Sequence, residues 1–297
     1  IPREKGDSFG DAVRTGIKFS KGKVVVFMDA DGSHDPEFIP NLLEHIDEYQ
    51  VVIASRNMDR LEETVHQVPS VAHNIHPYMM DVSDSNSVNN TANLILEDWG
   101  HIDVLVNNAG YGLKGPLELL EAREIQDQFQ TNVFGLMELT RLFIPEMRKR
   151  CRGKIINISS VVGRMPLPFN GAYSASKFAL EGLSENLRLE LAPFGISVSI
   201  IEPGYFDTAF VTNQTKGIHS EETASPYKPY QDKYLHRQNT FGRPAKANKV
   251  AVAIGNVIAS KSPKLRYLVG VDAHYAMFLK AIIPDRLFNY ILGKILM

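Results

Sequence analysis

The sequence predicts an α/β protein, a doubly wound parallel sheet with helices on both faces and three layers in all. Short apolar, β-branched runs alternate along the chain with longer stretches of helical spacing, and that alternation is the mark of β-α-β units. With 297 residues, 44% of them hydrophobic and 22% charged, the chain can bury the core such a domain needs. The first unit reads as a run at Lys23–Met28, helical spacing over Phe38–Tyr49 and a second run at Val51–Ala54. Further strands are expected at His76–Met80, Val104–Asn107, Lys154–Ile158 and Ser197–Ile201. Helices are expected between them, at Ser85–Trp99, Glu121–Arg148 and Tyr173–Leu191. The polar, aromatic-dotted stretch from Asn213 to Asn239 reads as an insertion or lid. From Tyr275 to Met297, apolar residues at helical spacing flank Pro284, as a core-packing or substrate-lid helix pair would have them. The alternative for that tail is a helix pair in contact with a membrane surface.

Charge and composition narrow the function. A formal net charge of -2 provides no basic field for a phosphate backbone, so no nucleic-acid partner is expected and a small molecule is. The single cysteine, Cys151, cannot close an internal disulfide and suits a reducing, cytoplasmic compartment. No N-terminal apolar run resembles a signal peptide, and the chain opens at Ile1, as a processed or truncated product would. Lys280, Pro284, Asp285, Arg286 and Lys294 interrupt the apolar tail, so no transmembrane span is expected. None of the nine histidines stands at a catalytic-metal spacing from Cys, Asp or Glu. Trp99, closing a helix just before a strand, reads as a packing residue.

The chemistry is concentrated in Tyr173-Ser-Ala-Ser-Lys177, which sets a phenol and an ammonium on one face of a helix. A free phenol titrates too high to act as a base at neutral pH, and a fixed positive charge beside it favours the phenolate. Ser160, thirteen residues earlier at the end of a predicted strand, can donate a hydrogen bond to a substrate oxygen. Tyr-x-x-x-Lys alone is common on exposed helices. Here it stands in the order Asn107-Asn-Ala-Gly110, Asn132, Asn157-Ile-Ser-Ser160, Tyr173-x-x-x-Lys177 and Pro203-Gly204, and in that order the chain resembles the short-chain dehydrogenase/reductase family from about Val51 to Phe210, and more loosely through Arg243-Pro244 and the tail.

The resemblance implies a Rossmann-like fold and NAD(P)(H)-dependent interconversion of a hydrophobic alcohol and its ketone or aldehyde. It implies that Tyr173 is the general acid or base, and that Lys177 lowers its pKa and bonds the nicotinamide ribose. Ser160 would orient the carbonyl, and Asn132 would bend its helix to hold a water in a proton relay. Asp81 and Val82 would flank the adenine, Asn108, Ala109 and Gly110 would line the cofactor with Pro203 and Gly204, and Thr208 would hold the carboxamide. Arg56, after the second strand where an acidic residue would select NAD, could pair a 2'-phosphate, so NADP (NADPH) is expected before NAD. A homodimer or homotetramer packed through the long helices around Asn132 and Lys177 is implied too, as is a small hydrophobic substrate, which the tail and the Pro166-Leu-Pro-Phe169 loop also suggest.

One segment departs from that family. Its first strand should run into Thr-Gly-x-x-x-Gly-x-Gly, whose glycines let backbone approach a pyrophosphate. This chain has Asp29-Ala-Asp31-Gly-Ser-His-Asp35-Pro36 there, three carboxylates where an anion should sit. Gly10-x-Ala12-x-x-x-Gly16, followed by Lys21 to Glu37, instead resembles glycosyltransferase family 2, especially the polyprenyl-phosphate sugar transferases. That resemblance implies that Asp29 and Asp31 hold a divalent cation against a nucleotide-sugar diphosphate; otherwise no metal is expected. The acceptor half of such an enzyme does not follow, so the segment is not expected to transfer sugar. The two resemblances meet at Val51–Arg56, and the chain reads as a chimera. Residues 1–56 would pack as the first β-α-β unit, 51–262 would form the catalytic domain, and 263–297 an apolar helical extension. The expected function is the oxidoreductase one, with cofactor binding impaired at the turn. The alternatives are a catalytically inactive scaffold and a metal-dependent glycosyltransferase.

Overall fold

The computed structural model describes residues 23–28, 49–66, 72–207, 214–220, 225–240, 245–246 and 248–297. Seven strands form one sheet: β1 (Lys23–Met28), β2 (Tyr49–Ser55), β3 (Ile75–Met79), β4 (Val104–Asn107), β5 (Gly153–Ile158), β6 (Ile196–Pro203) and β7 (Arg266–Val269). Their spatial order is β3-β2-β1-β4-β5-β6-β7, and every neighbouring pair is parallel. Parallel strands need crossovers, and the crossovers cover both faces of the sheet. On one face α2 (Ser85–Trp99), α4 (Leu136–Lys149) and α5 (Gly171–Leu191) bury Val88, Ile95, Leu139, Phe143, Met147 and Leu180 against Val52, Leu105 and Ile155. On the other, α1 (Met58–His66) and α7 (Asn248–Ala259) bury Leu61, Ile254 and Val257 against Ile53, Val106 and Ile156. The predicted three-layer, doubly wound architecture is therefore the observed one.

The order reverses at β1, which pairs with β2 on one side and β4 on the other. This is the switch point at which open α/β sheets leave a crevice beyond their carboxyl ends. The turn Asp29–Pro36, with Asp29 and Asp31, and the helix expected over Phe38–Tyr49 lie outside the described residues, as does Thr208; Tyr49 itself begins β2.

Local chemistry accounts for the element ends. Asp84 caps α2 by accepting from the Asn86 amide at 3.0 Å, and Gly100 ends it at φ 72°, a left-handed conformation that costs glycine little. Trp99 is buried, and its indole N–H donates to the Tyr78 hydroxyl at 3.1 Å, the packing role expected of it. The third strand runs Ile75–Met79, one residue earlier than expected, and the Met80 amide closes its pairing by donating to the Ser55 carbonyl.

The helix expected over Glu121–Arg148 is not a single α-helix. It divides into α3 (Ala122–Phe129), a π-helical turn at Gln130–Gly135, and α4. A widened turn takes up an extra residue, and two contacts fix it. The Asn132 amide is held by the Tyr111 backbone, accepting from its N–H at 3.0 Å and donating to its carbonyl at 2.9 Å. Gly135 packs so closely on Val82 that a Cβ there would overlap the Val82 carbonyl oxygen. The expected bend at Asn132 thus takes the form of a π turn.

Gly135→Ala is expected to lower the unfolding free energy by roughly 1–3 kcal/mol through overpacking. Urea denaturation followed by the fluorescence of Trp99, the single tryptophan, measures this, and an unchanged midpoint would contradict the close approach.

Candidate active site

The carboxyl ends of the strands gather the residues that the sequence singled out. Arg56 follows β2 directly, and Asp81 and Val82 lie just past β3. Asn108, Ala109 and Gly110 continue from β4, Ser160 stands two residues beyond β5, and Pro203 and Gly204 close β6. Tyr173 and Lys177 project from the first turns of α5, and Asn132 from the π turn. Asn108, Gly110, Ser160, Tyr173, Lys177, Pro203 and Gly204 all line one cavity of about 480 Å³. Arg56, Asp81, Val82, Ala109 and Asn132 are not among its lining residues. Of these, Asp81 shapes its own loop by accepting from the Ser83 amide at 2.8 Å and the Ser83 hydroxyl at 2.6 Å.

The reactive groups are buried and individually held. The Lys177 ammonium donates to the Ile158 carbonyl at 2.8 Å and lies 5.8 Å from the centroid of the Tyr173 ring. Burial pulls its pKa down to about 8, against the opposing charge of Glu181 one helical turn further on. Burial also pushes the Tyr173 phenol up, opposed by a hydrogen bond with the Ser160 side chain. The lowering expected from the Tyr-x-x-x-Lys spacing is opposed by desolvation of the phenolate, the larger of the two causes acting on the phenol. The Ser160 hydroxyl lies 3.4 Å from the Pro203 carbonyl and accepts from the Val162 amide at 3.4 Å, long contacts that leave it able to serve another oxygen.

Asn132 reaches the centre indirectly. Its amide donates to the Ser176 hydroxyl at 3.0 Å, and Ser176 donates to the Tyr173 carbonyl at 2.8 Å. A Cβ on Gly110 would come within 3.1 Å of the Asn132 Oδ1 and 3.5 Å of the Lys177 Nζ, so the strand β4 loop, the π turn and α5 converge there.

A dinucleotide fits these residues on two observations. Asn108 is buried and its amide nitrogen has no hydrogen-bond partner, an uncommon state for a donor and one that a ligand would relieve. The crevice beyond β1 and β4 is the place where α/β sheets hold such ligands.

Much of the remaining lining is apolar, though Asn170, Gln214 and Asp272 belong to it. Val162, Met165 and Leu167 line it from the loop after Ser160, and Leu279, Phe288 and Leu292 from α8 (Val271–Ile282) and α9 (Asp285–Leu296). The tail is therefore a helix pair closing the cavity, as its spacing suggested. Tyr234, on α6 (Lys228–Thr240) within the predicted insertion, adds a wall. It accepts a hydrogen bond from the Asn170 amide at 3.2 Å, and its ring meets that of Phe169 edge-on, with 5.7 Å between centroids. Sequence reading missed Tyr234, Glu181 and Asp272. Asp272, in the first turn of α8, accepts from the Tyr205 amide at 2.6 Å and so ties the tail to the Gly204 loop.

Comparison with known proteins places this arrangement. The short chain dehydrogenase family model matches residues 44–219. The chain belongs to the short-chain dehydrogenase family. The glycosyl transferase family 2 model matches residues 1–81, so both resemblances in the sequence are present. The chain is similar to a 3-ketodihydrosphingosine reductase of Bacteroides thetaiotaomicron, at 39% identity over 220 residues that cover 72% of this chain and 80% of the relative. Among solved structures it is similar to a short-chain dehydrogenase from Streptomyces avermitilis, with 35% identity, a TM-score of 0.72, and coverage of 88% of this chain and 92% of that one. It is also similar to a short chain dehydrogenase/reductase from Burkholderia phymatum in complex with NAD, with 26% identity, a TM-score of 0.71, and coverage of 89% and 92%. As a short-chain dehydrogenase, this protein is an NAD(P)-dependent oxidoreductase.

The lysine of this dehydrogenase provides a pH test. Its native pKa of about 8 lies below the ordinary lysine value, so above pH 8 the unfolded chain holds a proton that the native state has released. Stability should therefore rise with pH between about 8 and 10 relative to Lys177→Met, by about 2 kcal/mol at the upper end. Parallel denaturation profiles of the two proteins over that window measure the difference, and superimposable profiles would contradict a buried, destabilised ammonium.

Proposed function

We propose that this dehydrogenase reduces a hydrophobic, long-chain ketone to its alcohol with NADPH, and that it runs in the reductive direction. The observation that carries the reading is the apolar cavity that opens on Ser160, Tyr173 and Lys177. A cavity of about 480 Å³ with mostly apolar walls beyond the Ser160, Tyr173 and Lys177 end takes a substrate with a sizeable hydrocarbon part. The similarity to a 3-ketodihydrosphingosine reductase supports a long-chain 3-keto compound as the substrate class.

In this reading the cofactor supplies the hydride to the carbonyl carbon. Ser160 donates a hydrogen bond to the carbonyl oxygen, and Tyr173 transfers its proton to that oxygen as charge develops there. Lys177, charged in the complex, bonds the ribose and supports reprotonation of the phenol, and the π turn at Asn132 holds a water in the path to solvent. Asn108, Ala109 and Gly110 would hold the dinucleotide, with Asp81 and Val82 at the adenine, Arg56 at a 2'-phosphate and Pro203 and Gly204 at the nicotinamide end, where the resemblance also assigns Thr208. The N-terminal segment takes the place of the first β-α-β unit, and its carboxylates at Asp29, Asp31 and Asp35 weaken docking of the pyrophosphate. The protein acts as a homodimer or homotetramer.

Tyr173→Phe should lose reductase activity on a long-chain ketone by at least about a thousandfold, within the range of a lost general acid, with its unfolding transition unchanged. NADPH consumption measures it, and turnover equal to the parent would overturn the assignment. Arg56→Ala should weaken NADPH binding roughly tenfold and leave NADH binding unaltered. Fluorescence titration with each cofactor tests this, and equal effects on both would remove Arg56 from the 2'-phosphate site.

A further inference from the structure

The helix pair that closes the cavity is apolar on its outer side as well. On α8, Val271, Tyr275, Phe278 and Ile282 recur at helical spacing, and Val271 and Phe278 are 81% and 60% exposed. On α9, Leu287, Tyr290, Ile291 and Ile295 do the same, with Tyr290 63% exposed. The inner side is already satisfied, with Met277, Phe288 and Leu292 packed around Met165. A helix whose core-facing side is filled and whose other side is still apolar has a second apolar environment to meet.

We infer that the outer face of α8 and α9 docks on a lipid surface bearing anionic headgroups, and that the substrate enters the cavity from that surface. The inference rests on the reading of the cavity as the substrate site. Continuity between the face and the site favours lipid over a second copy of the chain. Tyr275, Ile291 and Ile295 both line the cavity and belong to the exposed face, so a protein partner seated there would stopper the entrance, whereas a lipid surface would feed it.

Charge points the same way. The acidic groups of the pair are engaged with the protein, Asp272 with the Tyr205 amide at 2.6 Å and Asp285 with Lys280 at 3.2 Å. Lys294 sits over the Tyr290 ring, 5.9 Å from its centroid, a cation above an aromatic edge such as interfacial helices present. Lys280, Arg286 and Lys294 against Asp272 and Asp285 leave the pair with a net positive charge, which complements anionic headgroups. Each helix has twelve residues, and no helix among the described residues is long and apolar enough to cross a membrane. The pair therefore lies in the interface plane. A separate exposed apolar patch, with Phe134, Met137 and Phe178 on the π turn, α4 and α5, remains for contact between copies.

The test is co-sedimentation with vesicles of phosphatidylcholine containing a minority of phosphatidylserine, using the full chain and the double variant Phe278→Glu/Tyr290→Glu. Neither residue lines the cavity. The full chain should pellet with the vesicles, and the variant should bind at least about tenfold more weakly while reducing a short, water-soluble ketone at the parent rate. A parent that stays in the supernatant, or a variant that pellets equally, would overturn the inference. So would a variant whose only change, read by light scattering, is a smaller assembly, because the face would then lie between copies. Sedimentation requires neither cofactor nor turnover, so an inactive protein that still pellets would count against the reductase reading alone.

Discussion

The site hangs on a buried chain of amide hydrogen bonds across the carboxyl ends of two strands. Asn107 on β4 donates to Asn157 on β5 at 2.8 Å, and Asn157 donates to Ser184 on α5 at 2.8 Å. The Asn107 amide also reaches Thr140 on α4 at 2.9 Å. All four side chains are buried, where losing one partner strands the others at a cost of about 1–3 kcal/mol. The chain sets β4, β5, α4 and α5 in a fixed relation. The Asn108–Gly110 loop, Ser160, and the Tyr173 and Lys177 turns leave from these same elements, so their relative positions follow from bonds that touch no substrate.

A second buried cluster braces the far side of α5. Arg266 on β7 bonds Glu181 at 3.0 Å and lies 2.9 Å from Glu202 on β6, while Arg164 reaches Glu202 at 3.3 Å. Two buried carboxylates sharing an arginine are costly to desolvate, and burial holds the Glu181 carboxyl above its usual range. The cluster couples the last strand of the sheet to the helix that carries Lys177, whose charge Glu181 favours.

Much of this was legible in the sequence because it depends on short-range pattern. The strands β1, β4 and β5 and the helices α2 and α5 announce themselves by apolar runs and by period, and the site residues by their order. What was not legible depends on distant contacts. The π turn requires the Tyr111 backbone to meet Asn132 and the Val82 carbonyl to meet Gly135, and neither encounter leaves a mark at positions 130–135. The high pKa of Tyr173 reflects how completely the cavity walls exclude water, which spacing to Lys177 does not encode. Asp272 and Tyr234 act across long separations in sequence. Tyr234 alone had a signal, an aromatic within a polar insertion.

The N-terminal segment, which the glycosyl transferase family 2 model matches as part of residues 1–81, contributes a strand to the common sheet. Val25–Met28 pairs with both β2 and β4, and for a buried parallel strand any apolar, β-branched run of the right length suffices. On the proposed reading the turn after it is another matter, because a pyrophosphate is bound by backbone N–H groups free of like charge, and the sequence there carries Asp29, Asp31 and Asp35. On that proposal, chemistry and docking are governed by different parts of the chain. The direct measurement is a calorimetric titration of NADPH into the unmodified protein and into one whose Asp29–Pro36 turn is replaced by Thr-Gly-Ala-Ser-Ser-Gly-Ile-Gly, each with and without Mg2+. The account predicts binding to the unmodified chain weaker by about a hundredfold, restored by the replacement and in part by Mg2+ bridging the carboxylates. Equal, micromolar binding by both proteins without metal would contradict it.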